Sequence, residues 1–143
     1  MLDLNILGIR LNLIKMSKFL LIKKKILKFN KKIHVGGDKS LSIRWALLAS
    51  QAIGKSKAYN LLMSEDVLAT LNAIKKMGIK VMIHSDYCII FGNGINGFKY
   101  KKNLTINAKN SGTLGRLILG LLIKSPYKIK LIGDKSLSKR DFS

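Results

Sequence analysis

An α/β (α+β) fold built from a repeated strand and helix unit is what this chain of 143 residues predicts. Three observations carry that expectation. Short apolar runs of strand length alternate with longer segments whose apolar residues recur at helical spacing. Each helical segment opens on a polar turn of Ser, Asp or Asn and closes at Gly or Pro. The resulting order reads β-α-β-α-β-β and then begins again as β-α-β, stopping inside the second copy.

Residues 1–35 alternate short apolar runs with Lys and Arg. Met16-Ser17-Lys18 looks like a second start, so residues 1–15 are expected to be an extension or a misassigned beginning. Beyond it, Phe19-Leu20-Leu21-Ile22 and Ile26-Leu27-Lys28-Phe29 suit strands, and residues 16–35 are assigned to amino-terminal strands. A basic amphipathic helix on a membrane surface and an organellar presequence stay open as other readings of this stretch. No apolar run approaches the length of a membrane span, and a secretory signal's unbroken apolar centre is missing.

The first helix is introduced by Asp38-Lys39-Ser40-Leu41-Ser42, with Ser40 or Ser42 as its cap. Ala46, Leu47, Leu48, Ala49 and Ile53 are its expected apolar face, and Gly54 its end. Lys57 to Leu62 reads as a short strand. Ser64-Glu65-Asp66 then caps a second helix, with Val67, Leu68, Leu71, Ile74 and Met77 at helical spacing and Gly78 as the stop. Val81-Met82-Ile83 and Tyr87-Cys88-Ile89-Ile90-Phe91 read as strands, Gly92-Asn93-Gly94 as a turn, and Leu104-Thr105-Ile106 as renewed β structure. Asn110-Ser111-Gly112-Thr113 opens a third helix with Leu114, Leu117, Ile118, Leu121 and Leu122 apolar, and Pro126 lies past its end. Ile129 to Ile132 is another strand, followed by the loop Gly133-Asp134-Lys135-Ser136.

Composition narrows the function classes. Hydrophobic residues make up 48% of the chain, which suits a packed domain and not a disordered one. The net charge of +20 invites a basic non-catalytic module that binds RNA or anionic lipid. Only Arg10, Arg44, Arg116 and Arg140 are arginines, and the remaining cations are lysines scattered through a Leu-, Ile- and Asn-rich chain. That distribution serves solubility more than a site. Aromatic residues are sparse and are not interleaved with the basic runs as base-stacking surfaces require. Cys88, the single cysteine, sits in an apolar strand and suits a buried thiol in a reducing cytoplasm. His34 and His84 lack partners at zinc-ligand spacing, and no Ser-His-Asp or paired-carboxylate constellation is present.

Two loops share one physical design, a small polar turn that runs straight into a helix amino-terminus. Unpaired N–H groups and a positive dipole at such an end suit anions. Around the first, Lys39 supplies a point charge, Ser40 a hydroxyl and Arg44 a planar fork that grips a carboxylate with two hydrogen bonds. Around the second, Gly112 lets a ligand approach the backbone, and Asn110 and Thr113 supply side-chain donors. Lys139 and Arg140 follow the last strand. Either loop alone reads as an ordinary helix cap, and neither matches the phosphate loop of nucleotide-binding proteins.

In order, however, the strings Gly37-Asp38-Lys39-Ser40-Leu41-Ser42-Ile43-Arg44, Asn60-Leu61-Leu62-Met63-Ser64-Glu65-Asp66, Asn110-Ser111-Gly112-Thr113-Leu114-Gly115-Arg116 and Gly133-Asp134-Lys135-Ser136-Leu137-Ser138-Lys139-Arg140 resemble the successive signatures of enolpyruvyl-shikimate-phosphate synthases. The resemblance runs from about Lys32 to the last residue. The sister family that transfers enolpyruvate to a UDP-sugar differs in the first loop. The resemblance implies an inside-out prism of two lobes, each made of three β-α-β-α-β-β units, of which residues 36–143 form about one and a half units of the first lobe. Residues 16–35 would belong to the second.

It also implies roles. Lys39, Ser40 and Arg44 would hold shikimate 3-phosphate, with Ser40 and Arg44 on its ring carboxylate. Lys39, the candidate catalytic residue, would also reach phosphoenolpyruvate, whose pocket Asn110, Gly112 and Arg140 would line. Thr113 and Arg116 would support that loop. The implied reaction is an addition followed by an elimination without metal or organic cofactor, and without nucleic-acid or membrane partners. The family's acid–base carboxylates lie in the second lobe, to be supplied by the continuation of the chain or by another polypeptide. Three positions depart from the family pattern. Gly36 and Asp141 stand where proline is usual, and Lys109 where glycine is usual.

Overall fold

The computed structural model describes residues 2–6, 9–13 and 34–141. Contacts divide the chain into two units, Met1–His34 and Val35–Ser143. In the first, β1 (Leu2–Ile6) and β2 (Ile9–Leu13) pair antiparallel, from Leu2 opposite Leu13 to Ile6 opposite Ile9. Leu2-Asp3-Leu4-Asn5-Ile6 carries the period-two alternation of a strand, a signal that the start-site reading of residues 1–15 passed over. The strands expected between residues 19 and 29 lie outside the described residues.

The second unit runs α1 (Lys39–Gln51), β3 (Ile53–Tyr59), α2 (Glu65–Lys76), β4 (Lys80–Ile83), β5 (Tyr87–Asn93), β6 (Thr105–Asn107), α3 (Gly112–Leu121) and β7 (Lys130–Ile132), ending in a single 3-10 turn at Leu137–Lys139. All three expected helices and the strands between them are present. β5 is the middle of a three-stranded sheet in which β3 and β4 both run antiparallel to it. β3 and β4 are therefore parallel to each other, joined through α2, with β5 inserted between them. β6 and β7 form a parallel pair, Thr105 opposite Lys130 to Asn107 opposite Ile132, joined through α3. Parallel neighbours require such a crossover.

Helix α1 packs on α2, α3 and β5. The core gathers Ile43, Ala46 and Leu47 from α1, Val67, Leu71, Ile74 and Met77 from α2 or its end, Cys88 and Ile90 from β5, and Ile106, Leu114, Ile118 and Leu137 from the second half. Each large aliphatic side chain buried in this way stabilises the fold by about 1.5–3 kcal/mol.

Several local expectations need correction. The α1 cap is Asp38, whose carboxylate accepts from the Leu41 N–H at 2.7 Å, and not Ser40 or Ser42. A carboxylate one position before the helix reaches an open first-turn N–H directly, which leaves the Ser42 hydroxyl for other work. The helix ends at Gln51 and not at Gly54, which lies within β3 at φ +89°. β3 accordingly opens at Ile53 and closes at Tyr59, ahead of the expected span. Leu48 and Ile53 leave the core, being 70% and 92% exposed. Leu48 projects from the side opposite Ile43, Ala46 and Leu47, and Ile53 is not helical at all. Leu68 and Leu117 are likewise part-exposed on their helices, whereas Val67, Leu71, Ile74, Leu114 and Ile118 are buried as expected. Gly92 and Asn93 continue β5, and the chain turns only at Gly94, at φ +81°. Among the described residues no helix is long and apolar enough to cross a membrane.

Cys88 is a buried strand residue, as its apolar surroundings predicted. Burial pushes its thiol pKa up, and the Lys75 ammonium offsets only part of that rise. The folded chain therefore holds the thiol proton more tightly than the unfolded chain, whose thiol ionises near the ordinary value of 9.0. Below that pH the contribution to stability is complete, and it declines as pH rises through and beyond it. Urea unfolding should show the parent chain losing stability above pH 9 more steeply than a Cys88→Ala variant, and iodoacetamide should alkylate Cys88 only on unfolding.

Candidate functional site

The two return strands of the second unit explain where its helices begin. Thirteen helical residues of α1 span about 20 Å. Seven strand residues of β3 span about 23 Å and carry the chain back along that length. The β3–α2 connection is then pinned beside the start of α1. The Ser42 hydroxyl donates to the Asp38 carbonyl at 2.6 Å and accepts from the Leu62 N–H at 3.1 Å. Gly37 lies so close to this connection that a Cβ there would fall 2.2 Å from the Asn60 carbonyl oxygen.

The second crossover is tied in the same way. The Ala108 N–H donates to the Ile132 carbonyl at 2.8 Å, and the Asp134 N–H to the Lys109 carbonyl at 2.9 Å. Asp134 Oδ1 accepts from the Leu137 N–H at 2.7 Å, opening the 3-10 turn that returns Arg140 to Asn110. Leu137 plugs that turn into the core.

The outcome is that the first residues of all three helices line one open cavity of about 520 Å³. Lys39 and Ser40 come from α1, Ser64, Glu65 and Asp66 from α2, and Ser111, Gly112 and Thr113 from α3, with Asn110 and Arg140 closing the rim. Three helix amino-termini thus point their free N–H groups and positive dipole ends into one space. Asp38 caps α1, and Ser111 Oγ caps α3 by accepting from the Leu114 N–H at 3.1 Å.

Charge is divided within this space. Lys39 Nζ lies 3.0 Å from Asp66 Oδ2, whose side chain is only 13% exposed. Lys109 Nζ lies 3.6 Å from Glu65 Oε1 on the exposed rim. Arg140 donates from Nη2 to Asn110 Oδ1 at 2.9 Å, a single hydrogen bond that orients the guanidinium toward the cavity rim. Arg116, expected to support the loop, donates from Nη2 to the Asp141 carbonyl at 2.7 Å and so ties α3 to the segment carrying Arg140. The arrangement is a cradle for a small anion: fixed dipoles, hydroxyls, one flexible ammonium and one oriented guanidinium.

Of the residues singled out from the sequence, Lys39, Ser40, Asn110, Gly112, Thr113 and Arg140 come together here. Arg44 does not line this cavity. It is exposed, one turn beyond Ser40 on α1. Ser64, Glu65 and Asp66, expected as a helix start and as part of a family motif but with no binding role, line the same cavity.

The family model for EPSP synthase (3-phosphoshikimate 1-carboxyvinyltransferase) matches residues 23–141. This chain belongs to the EPSP synthase family. It is 44% identical over 108 residues to 3-phosphoshikimate 1-carboxyvinyltransferase of Streptococcus pyogenes serotype M2 (strain MGAS10270), covering 76% of this chain and 25% of the relative. The same figures hold for the relative from serotype M1. An EPSP synthase structure from Acinetobacter baumannii superposes with a TM-score of 0.71 at 35% identity over 78% of this chain and 25% of that one. A second from the same organism gives a TM-score of 0.68 at 36% identity. The chain thus spans about a quarter of the length of the relatives it matches.

Lys109, where the resemblance led to an expected glycine, has a backbone conformation of the kind glycine favours. Its φ is +52°, in the left-handed region where glycine is at ease, and its N–H is held by Asn107 Oδ1 at 2.8 Å. Replacing Lys109 by Gly should raise stability by about 0.5–1 kcal/mol in urea titrations, because the Cβ strain disappears. At Gly112 a Cβ would sit 2.9 Å from Arg140 Nη1, the mobile end of a side chain. Gly112→Ala should therefore leave the melting temperature nearly unchanged while displacing Arg140 from Asn110. Its affinity for inorganic phosphate, read by calorimetry, should fall about tenfold, the scale of one charged hydrogen bond.

Proposed function

We propose that this chain supplies the first-lobe half of the substrate site of a shikimate-pathway transferase. That enzyme moves the enolpyruvyl group of phosphoenolpyruvate to the 5-hydroxyl of shikimate 3-phosphate in the cytoplasm. The observation that carries the reading is the convergence of three helix starts with Lys39 and Arg140 on one cavity, in a member of the EPSP synthase family. Both substrates are phosphorylated carboxylates, and both reacting partners repel one another in water. A site of helix-end N–H groups and oriented cations offsets that repulsion and converts the encounter into a positioned, effectively intramolecular step.

On this reading Asn110, Gly112 and Arg140 hold phosphoenolpyruvate, with Arg140 paired to one of its anionic groups. Lys39 stands between the two substrates, because its ammonium is tethered only by Asp66 and is half exposed. Ser40 and Arg44 take the ring carboxylate of shikimate 3-phosphate. One helical turn separates them on α1, so they share a face and present to a molecule lying beside the cavity. The substrate hydroxyl gives up its proton and adds to C2 of phosphoenolpyruvate while C3 gains a proton; C3 then loses a proton as phosphate departs from C2 and the double bond re-forms. The groups that move those protons belong to the second lobe of an inside-out prism, reached by the continuation of the chain or by another polypeptide. The role of the residues described here is to bind, orient and neutralise.

The purified 143-residue chain should bind both substrates and turn neither over. Shikimate 3-phosphate should change the fluorescence of Trp45, which adjoins Arg44, and the response should disappear in Arg44→Ala. Product formation by the isolated chain would sink the division of labour. A fluorescence response to oligonucleotide that falls steeply with salt, with none to shikimate 3-phosphate, would favour a basic binding module instead.

A further inference from the structure

Ser64 is the cap residue of α2, yet its hydroxyl performs no capping. The other two helix starts on the cavity are satisfied by side chains, Asp38 on the Leu41 N–H and Ser111 on the Leu114 N–H. Ser64 Oγ is buried, and among the described residues it is the one buried side-chain oxygen without a hydrogen-bond partner. Burial of an unpaired hydroxyl is unfavourable, and native structures avoid it unless something else completes the bond. Ser64 stands in the wall of the anion cavity.

The charges beside it point the same way. The two carboxylates next in the chain are each already met by a cation, Asp66 by Lys39 at 3.0 Å and Glu65 by Lys109 at 3.6 Å. An anion seated over α2 therefore meets paired carboxylates and the open amino-terminus of the helix, with the unpartnered Ser64 O–H shielded from solvent in the wall beside them. Each of the three helix starts also contributes one hydroxyl residue to the cavity wall that is not used as a cap: Ser40 from α1, Ser64 from α2 and Thr113 from α3. A tetrahedral oxyanion presents oxygens in several directions at once, which three donors from three helices can meet and a planar carboxylate cannot.

We infer that Ser64 is a further ligand of the bound substrate, its hydroxyl donating to a phosphoryl oxygen held over the amino-terminus of α2. The inference rests on the anion-site reading given above and adds a residue and a ligand group to it. Its signature is an inversion between binding and stability. A residue kept as a helix cap loses stability when truncated, whereas one left unpaired for a ligand loses only the ligand.

The test uses the 143-residue chain with inorganic phosphate and phosphoenolpyruvate as probes, followed by calorimetry, alongside thermal melts without ligand. Ser64→Ala should weaken phosphate binding about tenfold, the scale of one hydrogen bond to a charged group, with a melting temperature equal to the parent's or higher. Ser64→Thr keeps the hydroxyl and should recover most of the affinity. Unchanged phosphate affinity in Ser64→Ala overturns the inference while leaving the anion site standing. So does a lowered melting temperature in Ser64→Ala, which would mark Ser64 as a structural cap, and so does a folded Ser64→Thr that fails to recover binding. A parent chain that binds neither phosphate nor phosphoenolpyruvate overturns the anion site and the inference together.

Discussion

Return of the chain to one end of the domain after each helix is the constraint on which everything else depends. β3 runs back along α1, and the Ser42 hydroxyl locks the next connection against the first turn of that helix. The parallel pair β6 and β7 forces the same geometry on α3. Parallel strands can only be joined by a crossover, so α2 and α3 must each start on the side where the preceding strand ends. In open α/β sheets that side is where ligands gather, because the helix amino-termini collect there. Here the collection is of three, and the cavity between them is a direct product of topology.

The electrostatics of the cavity differ in kind from those of the chain as a whole. A net charge of +20 creates a diffuse positive field that concentrates anions near the surface without placing them. Within the cavity the count is much more even, with Lys39 and Arg140 facing Glu65 and Asp66. What distinguishes the site is direction: dipoles that do not reorient and a guanidinium oriented by Asn110, beside a flexible ammonium paired with Asp66. Such preorganisation is what lets a site act on charge without first rearranging. The strain at Lys109 sits in the same turn that carries Asn110, so the loop makes its left-handed kink at a residue other than glycine.

Much of the fold was legible from residue order. Helical spacing identified α2 and α3 closely, since Val67, Leu71 and Ile74, and Leu114 and Ile118, form narrow apolar stripes between clear stop signals. α1 was harder, because its buried face includes Ser42 and Ser50 while Leu48 is left outside. Apolarity alone cannot tell a core leucine from an exposed one when small polar residues line the packed side. The caps were misjudged at Asp38 for a related reason: several candidates stood within one turn, and only the backbone conformation chose among them. The strands at residues 2–6 and 9–13 carry a clean alternation of apolar and polar residues, which the expectation of an extension or misassigned beginning left without an element.

By itself the sequence pointed to the helices and strands of residues 36–143, to the family to which the chain belongs and to Lys39, Ser40, Asn110, Gly112, Thr113 and Arg140, which share the cavity. Local propensity and short motifs are properties of neighbours along the chain, so order and spacing suffice for them. Only the tertiary structure decided that α2 brings a third helix start to the same place, that Asp66 and Asn110 orient the two cations, that Arg44 stands apart, and that the Ser64 hydroxyl is buried without a partner. Each of these is a relation between residues 20 or more positions apart or a matter of burial. Such relations exist only once the crossovers have folded the helix starts together.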